Sequence, residues 1–384
     1  MRIISVVGAR PNFMKIAPFI EAVKRHNQEG NPPVDHILVH TGQHYDTCMN
    51  ETFFQSLKIE QPDINLGIGS GSHAEQVGYT MIAFEKVLLK YQPDWVVVVG
   101  DVNATIACSV TAKKLGMKVC HIEAGLRSGD LSMPEEINRL VTDRISDLLL
   151  TPDQLSDNNL KNEGIDPSKI AFVGNIMIDT LDRWYHVAAS INLNSLIQNN
   201  QIFSEYVDIK HPFAVVTLHR PSNVDKPEIL SALVDFLIHE VTVDMSVIWP
   251  IHPRTLKMLK EFGLWERVIG CKYIIILHPL GYHEMLRLNM ETSVMITDSG
   301  GLQEECTVLG TPCLTLRNNT ERPVTLKEWD GVSVLVGNDI NLIRKEYRNA
   351  LQQERHPVRP KLWDGNTAER CLQQILLHST ENCK

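Results

Sequence analysis

No run of apolar residues in this sequence approaches the roughly 18 that a membrane-spanning helix needs; the longest, such as Trp95–Val99, are of strand length. No GxxxxGK[ST], GxGxxG or HExxH pattern occurs, which removes the motif basis for a phosphate-loop NTPase, a dinucleotide fingerprint or a zinc protease. The nearest approach, Gly67, Gly69 and Gly71, has Ser72 where a further spaced glycine would fall, and it reads as a loop. Positive charge is in short supply. The 37 Lys and Arg against 46 Asp and Glu give a net charge of −9, which argues against nonspecific binding to nucleic acid or an anionic membrane. Cysteine pairs are lacking as well: Cys48, Cys108, Cys120, Cys271, Cys306, Cys313, Cys371 and Cys383 are scattered without a CxxC and read as reduced thiols. The apolar part of the opening MRIISVVGARPNFMK is too short for a signal peptide and reads as a first strand, so the expected location is the cytoplasm.

What is present is an ordinary globular composition, 43% hydrophobic and 22% charged, which excludes disordered, collagenous and coiled-coil classes. A length of 384 residues suggests two or three domains. Short β-branched runs at Ile3–Val7, His36–His40, Trp95–Val99 and Val119–Ile122 alternate with amphipathic stretches, the first reaching to about Arg25. A second series reads from Ala171–Val173 through Phe213–Thr217, Ser246–Trp249, Tyr273–Leu277, Val294–Thr297 and Cys313–Leu316, with the polar stretch Asn192–Glu205 as a connecting surface stretch or an irregular helix. Alternation of this kind predicts βαβ units and parallel sheets. The expectation is an α/β protein with two Rossmann-like doubly wound domains facing a cleft, residues 1–174 and 175–363, and a terminal helix within 364–384 joined to the first. Open α/β sheets bind ligands outside the carboxyl ends of their strands, so polar residues there carry the functional signal.

The strongest local signal is the strand Val294–Thr297 running into Asp298-Ser299-Gly300-Gly301 and then Leu302-Gln303-Glu304-Glu305. A strand, a small-residue turn and a helix start present backbone N–H groups and a positive dipole end, suited to a diphosphate. Glu305, one turn inside that helix, is placed to accept hydrogen bonds from a ribose diol. A plain strand-to-helix turn explains the same residues equally well. Other strand ends carry Arg10 and Lys15, Gln43 and His44, Asp101, Glu123 with Arg127, His219, His252, and Arg322. Each alone is weak, since a single His or Asp at a strand end is more often structural, but together they outline a polar cleft. Arg10, Lys15 and Arg322 could neutralise a diphosphate. Asp101, Glu123 and Glu135 with His219 form an acid and base set able to remove a carbon-bound proton. Glu135 and Glu136 follow Pro134, where acidic residues also simply stabilise a helix dipole, a reading that weighs more on Glu136. His36, His40 and His44 have a spacing that would align them on a helix, but His36 and His40 lie in a strand-like segment and no third ligand is evident, so no metal is expected.

The ordered set GARPNFMKIAP, HTGQHYD, GSGSHAEQ, VVVGDVNAT, HIEAGLRSGDLSMPEEINRLVTD, FVGNIMIDTL, TLHRPSNVD, PIHPRT, TDSGGLQEE and TERPVT resembles the non-hydrolysing UDP-N-acetylglucosamine 2-epimerases over nearly the whole chain. The resemblance implies the glycosyltransferase B type architecture, usually as a homodimer, with no metal or redox cofactor. It implies interconversion of UDP-N-acetylglucosamine and UDP-N-acetylmannosamine through elimination of UDP, a 2-acetamidoglucal and re-addition, supplying cell-surface polysaccharide synthesis. By position it assigns Asp101, Glu123, Glu135 and His219 to catalysis, and Arg10, Ser299, Gly300, Gly301, Glu305 and Arg322 to UDP, with Lys15 and His252 nearby. The chain departs from the best-known bacterial branch after the histidine, reading His219-Arg220-Pro221-Ser222-Asn223, and Met285 stands where that branch has an aromatic near the uracil, leaving Tyr282 as substitute. Competing readings are a 2-epimerase of a modified UDP-diacetamido sugar or its uronic acid, a hydrolysing 2-epimerase and, further off, a UDP-sugar glycosyltransferase or a noncatalytic UDP-sugar sensor.

Overall fold

Strands that alternate side chains between two covered faces are apolar at every position, and this decides the architecture. The computed structural model describes residues 1–42, 61–203, 209 and 212–380, save the side chain of Arg10. The chain forms two compact units, Met1–Arg183 with Pro360–Lys384, and Trp184–Arg359.

In the first unit the strands are β1 (Arg2–Val7), β2 (Asp35–His40), β3 (Ile64–Asn65), β4 (Trp95–Val99), β5 (Lys118–Ile122), β6 (Leu148–Thr151) and β7 (Ile170–Phe172). They pair in parallel in the order β3-β2-β1-β4-β5-β6-β7, the doubly wound order with its switch point between β1 and β4. One finding corrects the sequence reading: β7 does not begin the second series. It pairs with β6, Leu150 opposite Ala171, and closes the first sheet.

The strands of the second unit are β8 (Phe213–Thr217), β9 (Ser246–Pro250), β10 (Ile274–Leu277), β11 (Val294–Thr297), β12 (Cys313–Thr315) and β13 (Ser333–Leu335). Their order, β10-β9-β8-β11-β12-β13, repeats the same winding. Ala214, Val216, Val247, Trp249, Ile274 and Ile276 enter one core, while Phe213, Val215, Ile248, Ile275 and Leu277 enter a second on the opposite face. The polar stretch before β8 contains the helix Leu193–Asn200, whose Leu196 and Ile197 join the second core.

The terminal helix Thr367–Thr380 belongs to the first unit. Its buried Ala368, Cys371, Leu372 and Ile375 follow the i, i+3, i+4, i+7 spacing of a one-sided apolar stripe. Asp179 caps it from the helix Ile176–Ala189, accepting from Thr367 N (3.1 Å) and Ala368 N (2.7 Å). Gly174 lets the chain pass close by: its φ is +96°, and a Cβ there would overlap the carbonyl of Leu362. We expect Asp179→Ala to lower stability by about 0.5–2 kcal/mol through loss of the cap, measured as a shift in urea midpoint. No helix of the described residues is long and apolar enough to cross a membrane.

Candidate active site

In the first unit the chemistry gathers at the carboxyl ends of β1, β4 and β5. Asn12 braces the turn after β1, its Oδ1 accepting from Gly8 N (3.2 Å) and Ala9 N (3.0 Å) and its Nδ2 donating to Val99 O of β4 (2.9 Å). Arg10 opens the helix Arg10–Gln28. On the same helix Lys15 makes a buried ion pair with Glu123, so the cation read as a diphosphate ligand is paired with one of the candidate acids. Both pack against Gly100: a Cβ there would lie 3.3 Å from Lys15 Nζ and 3.5 Å from Glu123 Oε2, and its φ of +70° also favours glycine. Glu123 itself has φ +69°, uncommon for a residue with a side chain and a form of strain that concentrates at functional sites.

The helix Pro134–Ile145 carries Glu135 and braces Asp101. Arg139 donates to Asp101 Oδ2 (2.5 Å) and Asn138 Nδ2 to Asp101 O (2.8 Å). Glu135 is exposed in its first turn. Glu136 is buried and structural, accepting from Ser128 N (3.0 Å), Gly129 N (2.9 Å) and both Nε and Nη2 of Arg139. Burial works to raise its pKa, but the hydrogen bonds from Ser128, Arg139 and Gly129 leave it lowered. Further along, Asp143 accepts from Gly125 N (3.0 Å) and from Arg127 (2.7 Å). Arg127 is also held by Glu163 through two bonds of 2.7 Å, which places this predicted substrate ligand in a network within the unit. Sequence reading gave no role to Asn138, Arg139 or Asp143. Their only sequence signal is the recurrence of polar residues on one side of a short helix.

In the second unit His219, just beyond β8, sits beside Asp298, just beyond β11. The His219 Nδ1 to Asp298 Oδ1 distance is 2.6 Å, so Nδ1 carries the hydrogen and Nε2 is left as the basic nitrogen when the ring is neutral. Asp298 also accepts from His219 N (3.0 Å), Arg220 N (2.9 Å) and Asn223 Nδ2 (3.1 Å). Burial would raise its pKa; the bond and charge of His219 and the backbone N–H groups overcome this and hold it low. Pro221 suits the first position of the short helix Pro221–Val224, which delivers Asn223 to Asp298. His252 lies 5.6 Å from His219 ring to ring and caps the helix Pro253–Glu261 through Arg254 N (3.1 Å). Burial first, and His219 second, lower its pKa.

Ser299 is the N-cap of the helix Gly300–Leu309. Gly300 is packed against charged side chains: a Cβ would come within 2.8 Å of Glu321 Oε1 and 2.9 Å of Arg322 Nη1, whereas Gly301 is open. Behind it runs a buried chain of charge, Arg317 on Glu321 (2.6 Å), Glu321 on Arg322, and Arg322 on Glu304 (2.8 Å). Glu304, Arg317 and Glu321 were not foreseen as partners of Arg322. Glu305 is buried with Tyr282 and Asn289 beside it; both of these are buried as well. Burial, then the charge of Glu304, push the Glu305 carboxyl up to about 7.

The folded protein therefore holds this proton more tightly than the unfolded chain does, and the stability cost of ionising Glu305 grows as pH rises from about 4.5 to about 7. We expect Glu305→Gln to match the wild type in denaturant unfolding near the acid end of that window and to exceed it above the window, by roughly 3 kcal/mol at most. Gln43 and His44 lie outside the described residues. Among the described residues no group of three His, Cys, Asp or Glu side chains could hold a metal ion.

Two doubly wound units with polar strand ends define a Rossmann-type α/β class whose sites suit a nucleotide-linked ligand. The chain belongs to the UDP-N-acetylglucosamine 2-epimerase family, whose model matches residues 26–376. It is 40% identical over 373 residues to the UDP-N-acetylglucosamine 2-epimerase of Methanocaldococcus jannaschii, covering 97% of this chain and 98% of that protein. The crystal structure of the M. jannaschii UDP-GlcNAc 2-epimerase in complex with UDP-GlcNAc and UDP superposes with a TM-score of 0.87 at 40% identity, covering 98% of this chain and 100% of the other. The chain is also 38% identical to the UDP-2,3-diacetamido-2,3-dideoxy-D-glucuronate 2-epimerase of Pseudomonas aeruginosa, over 91% of this chain and 92% of that protein.

Proposed function

We propose that the protein is a non-hydrolysing epimerase interconverting UDP-N-acetylglucosamine and UDP-N-acetylmannosamine. What carries this is 40% identity to a UDP-N-acetylglucosamine 2-epimerase along the chain's length, supported by Asp101 and Glu123 standing just beyond the neighbouring strands β4 and β5. In the forward direction a carboxylate removes the proton from sugar C2, the electron pair of that C–H bond forms the C1=C2 double bond, and the C1–O bond breaks to release UDP. Reprotonation at C2 on the opposite face, with return of UDP to C1, completes the exchange without net consumption of water. Asp101, Glu123 and Glu135 serve the proton transfers, while His219, oriented by Asp298, assists the leaving and returning diphosphate. Ser299, Gly300 and Gly301 with Arg322 receive the diphosphate, and Glu305 the ribose.

The test is incubation with UDP-N-acetylglucosamine in heavy water, followed by NMR. UDP-N-acetylmannosamine carrying deuterium at C2 is expected. Accumulation of UDP and free N-acetylmannosamine would instead mean hydrolysis. The 38% identity to the diacetamido glucuronate enzyme favours one second reading, a modified sugar at the same centre, and exchange at C2 of that substrate alone would establish it. A homodimer is also proposed. Tyr79, Ile82 and Leu89 share an exposed face of the helix His73–Tyr91, and light scattering at twice the 43.4 kDa chain mass is the expected result.

A further inference from the structure

The imidazole of His121 is fully buried in β5 and has an oxygen acceptor at each ring nitrogen: Asp143 Oδ1 lies 2.6 Å from Nδ1, and the carbonyl of Gly100 lies 2.9 Å from Nε2. A backbone carbonyl has no hydrogen to give, so Nε2 must donate. Asp143 already accepts on its other oxygen from Gly125 N and Arg127, as an ionised carboxylate does, so Nδ1 donates as well. The neighbours in register across the sheet, Val98 on β4 and Leu149 on β6, are apolar; the charged groups on this side are Asp143 and, through it, Arg127. No solvent competes for either bond.

We propose that His121 is a doubly protonated positioning residue for the epimerisation centre, an imidazolium that ties the turn carrying Asp101 to the helix carrying Glu135. This rests on the epimerase reading for its catalytic meaning, though not for its charge. Gly100 is the hub of the arrangement. Its carbonyl is held by His121, its open α-carbon lets Lys15 and Glu123 pack against it, and the next residue is Asp101. Asp143 pulls on the other side, holding Gly125 N two residues after Glu123. The same helix supplies Asn138 and Arg139 to Asp101. His121 touches no reacting atom; it sets where two of the acids stand relative to the third.

The experiment has a spectroscopic limb and a kinetic limb. With histidine labelled in its ring nitrogens, long-range proton–nitrogen correlation of the wild-type protein at neutral pH is expected to show one of the 15 histidines with hydrogen on both nitrogens, protected from solvent exchange. That signal should vanish in His121→Gln, which assigns it, and in Asp143→Asn the ring should revert to a single hydrogen. In His121→Gln, whose amide can still donate to Gly100, we expect kcat to fall roughly 10- to 100-fold with KM changed less than threefold, and His121→Phe to fall further. A neutral ring in the wild-type spectrum, with the proton residing on Asp143, would overturn the assignment of charge whether or not the variants fold. An imidazolium combined with unchanged kcat in a folded His121→Gln would overturn the positioning role. Should the wild type fail to exchange deuterium into C2 of any UDP-acetamido sugar offered, the epimerase reading falls, while the spectrum still decides the charge.

Discussion

Asp101→Asn and Glu123→Gln are each expected to lower kcat for C2 exchange by roughly 10²- to 10⁴-fold, the range lost when a positioned acid or base is removed. Both substitutions keep size and delete the carboxylate. Asp101 is 27% exposed in its side chain and meets Arg139, so the amide oxygen of the substituted side chain can still accept one bond and the fold should be retained. Glu123 is buried with Lys15, and losing its charge leaves a buried ammonium without its counter-ion. Lower thermal stability is therefore expected for Glu123→Gln and much less for Asp101→Asn. Turnover by NMR and melting by circular dichroism separate the two effects, and near-wild-type turnover in both variants would end the assignment of these acids to proton transfer.

Asp298→Asn should be the second severe lesion, for a different reason. The carboxylate fixes the His219 tautomer and also receives the backbone N–H groups of His219 and Arg220 and the amide of Asn223. An asparagine can accept on one atom only, so its amide nitrogen would face donors, or the ring would flip its hydrogen to Nε2. A loss of roughly 10²- to 10⁴-fold in kcat is expected, by analogy with the wrong-tautomer effect in carboxylate–histidine pairs, together with about 1–3 kcal/mol for each buried donor left unpaired. Normal turnover with normal stability would show that His219 needs no orienting partner.

The two parallel sheets were legible because strands covered on both faces cannot hide their composition: Trp95–Val99 is apolar at every position, and all five residues are buried. Strand β7 reads as part of the second series because its three residues are only half-buried and its pairing with β6 leaves no mark in its own sequence. At the candidate site the strand ends were readable for the same reason that ligands use them, since polar residues there interrupt apolar runs. Helix-borne partners were not. Arg139 reaches Asp101 across 38 positions and Asp143 reaches His121 across 22, contacts that no local spacing announces. Asp298 was visible as part of a small-residue turn, but its orienting of His219 depends on β8 and β11 lying side by side, with Thr217 paired to Thr297.

The helix Pro134–Ile145 gives the molecule an uneven tolerance to insertion and deletion. Glu135, Glu136, Asn138, Arg139 and Asp143 act from one rigid rod, and each added residue turns everything after it by about 100°. A single residue inserted between Glu136 and Asn138 would leave Glu135 in place but swing Asn138, Arg139 and Asp143 off their targets together, so one event would uncouple Asp101, His121 and Arg127. The loop before the helix can vary in length more freely only beyond Gly129, since Gly125 and Arg127 bind Asp143 and Ser128 and Gly129 bind Glu136. Lineages descended from such a chain should therefore differ in length on either side of this rod and keep its interior ungapped.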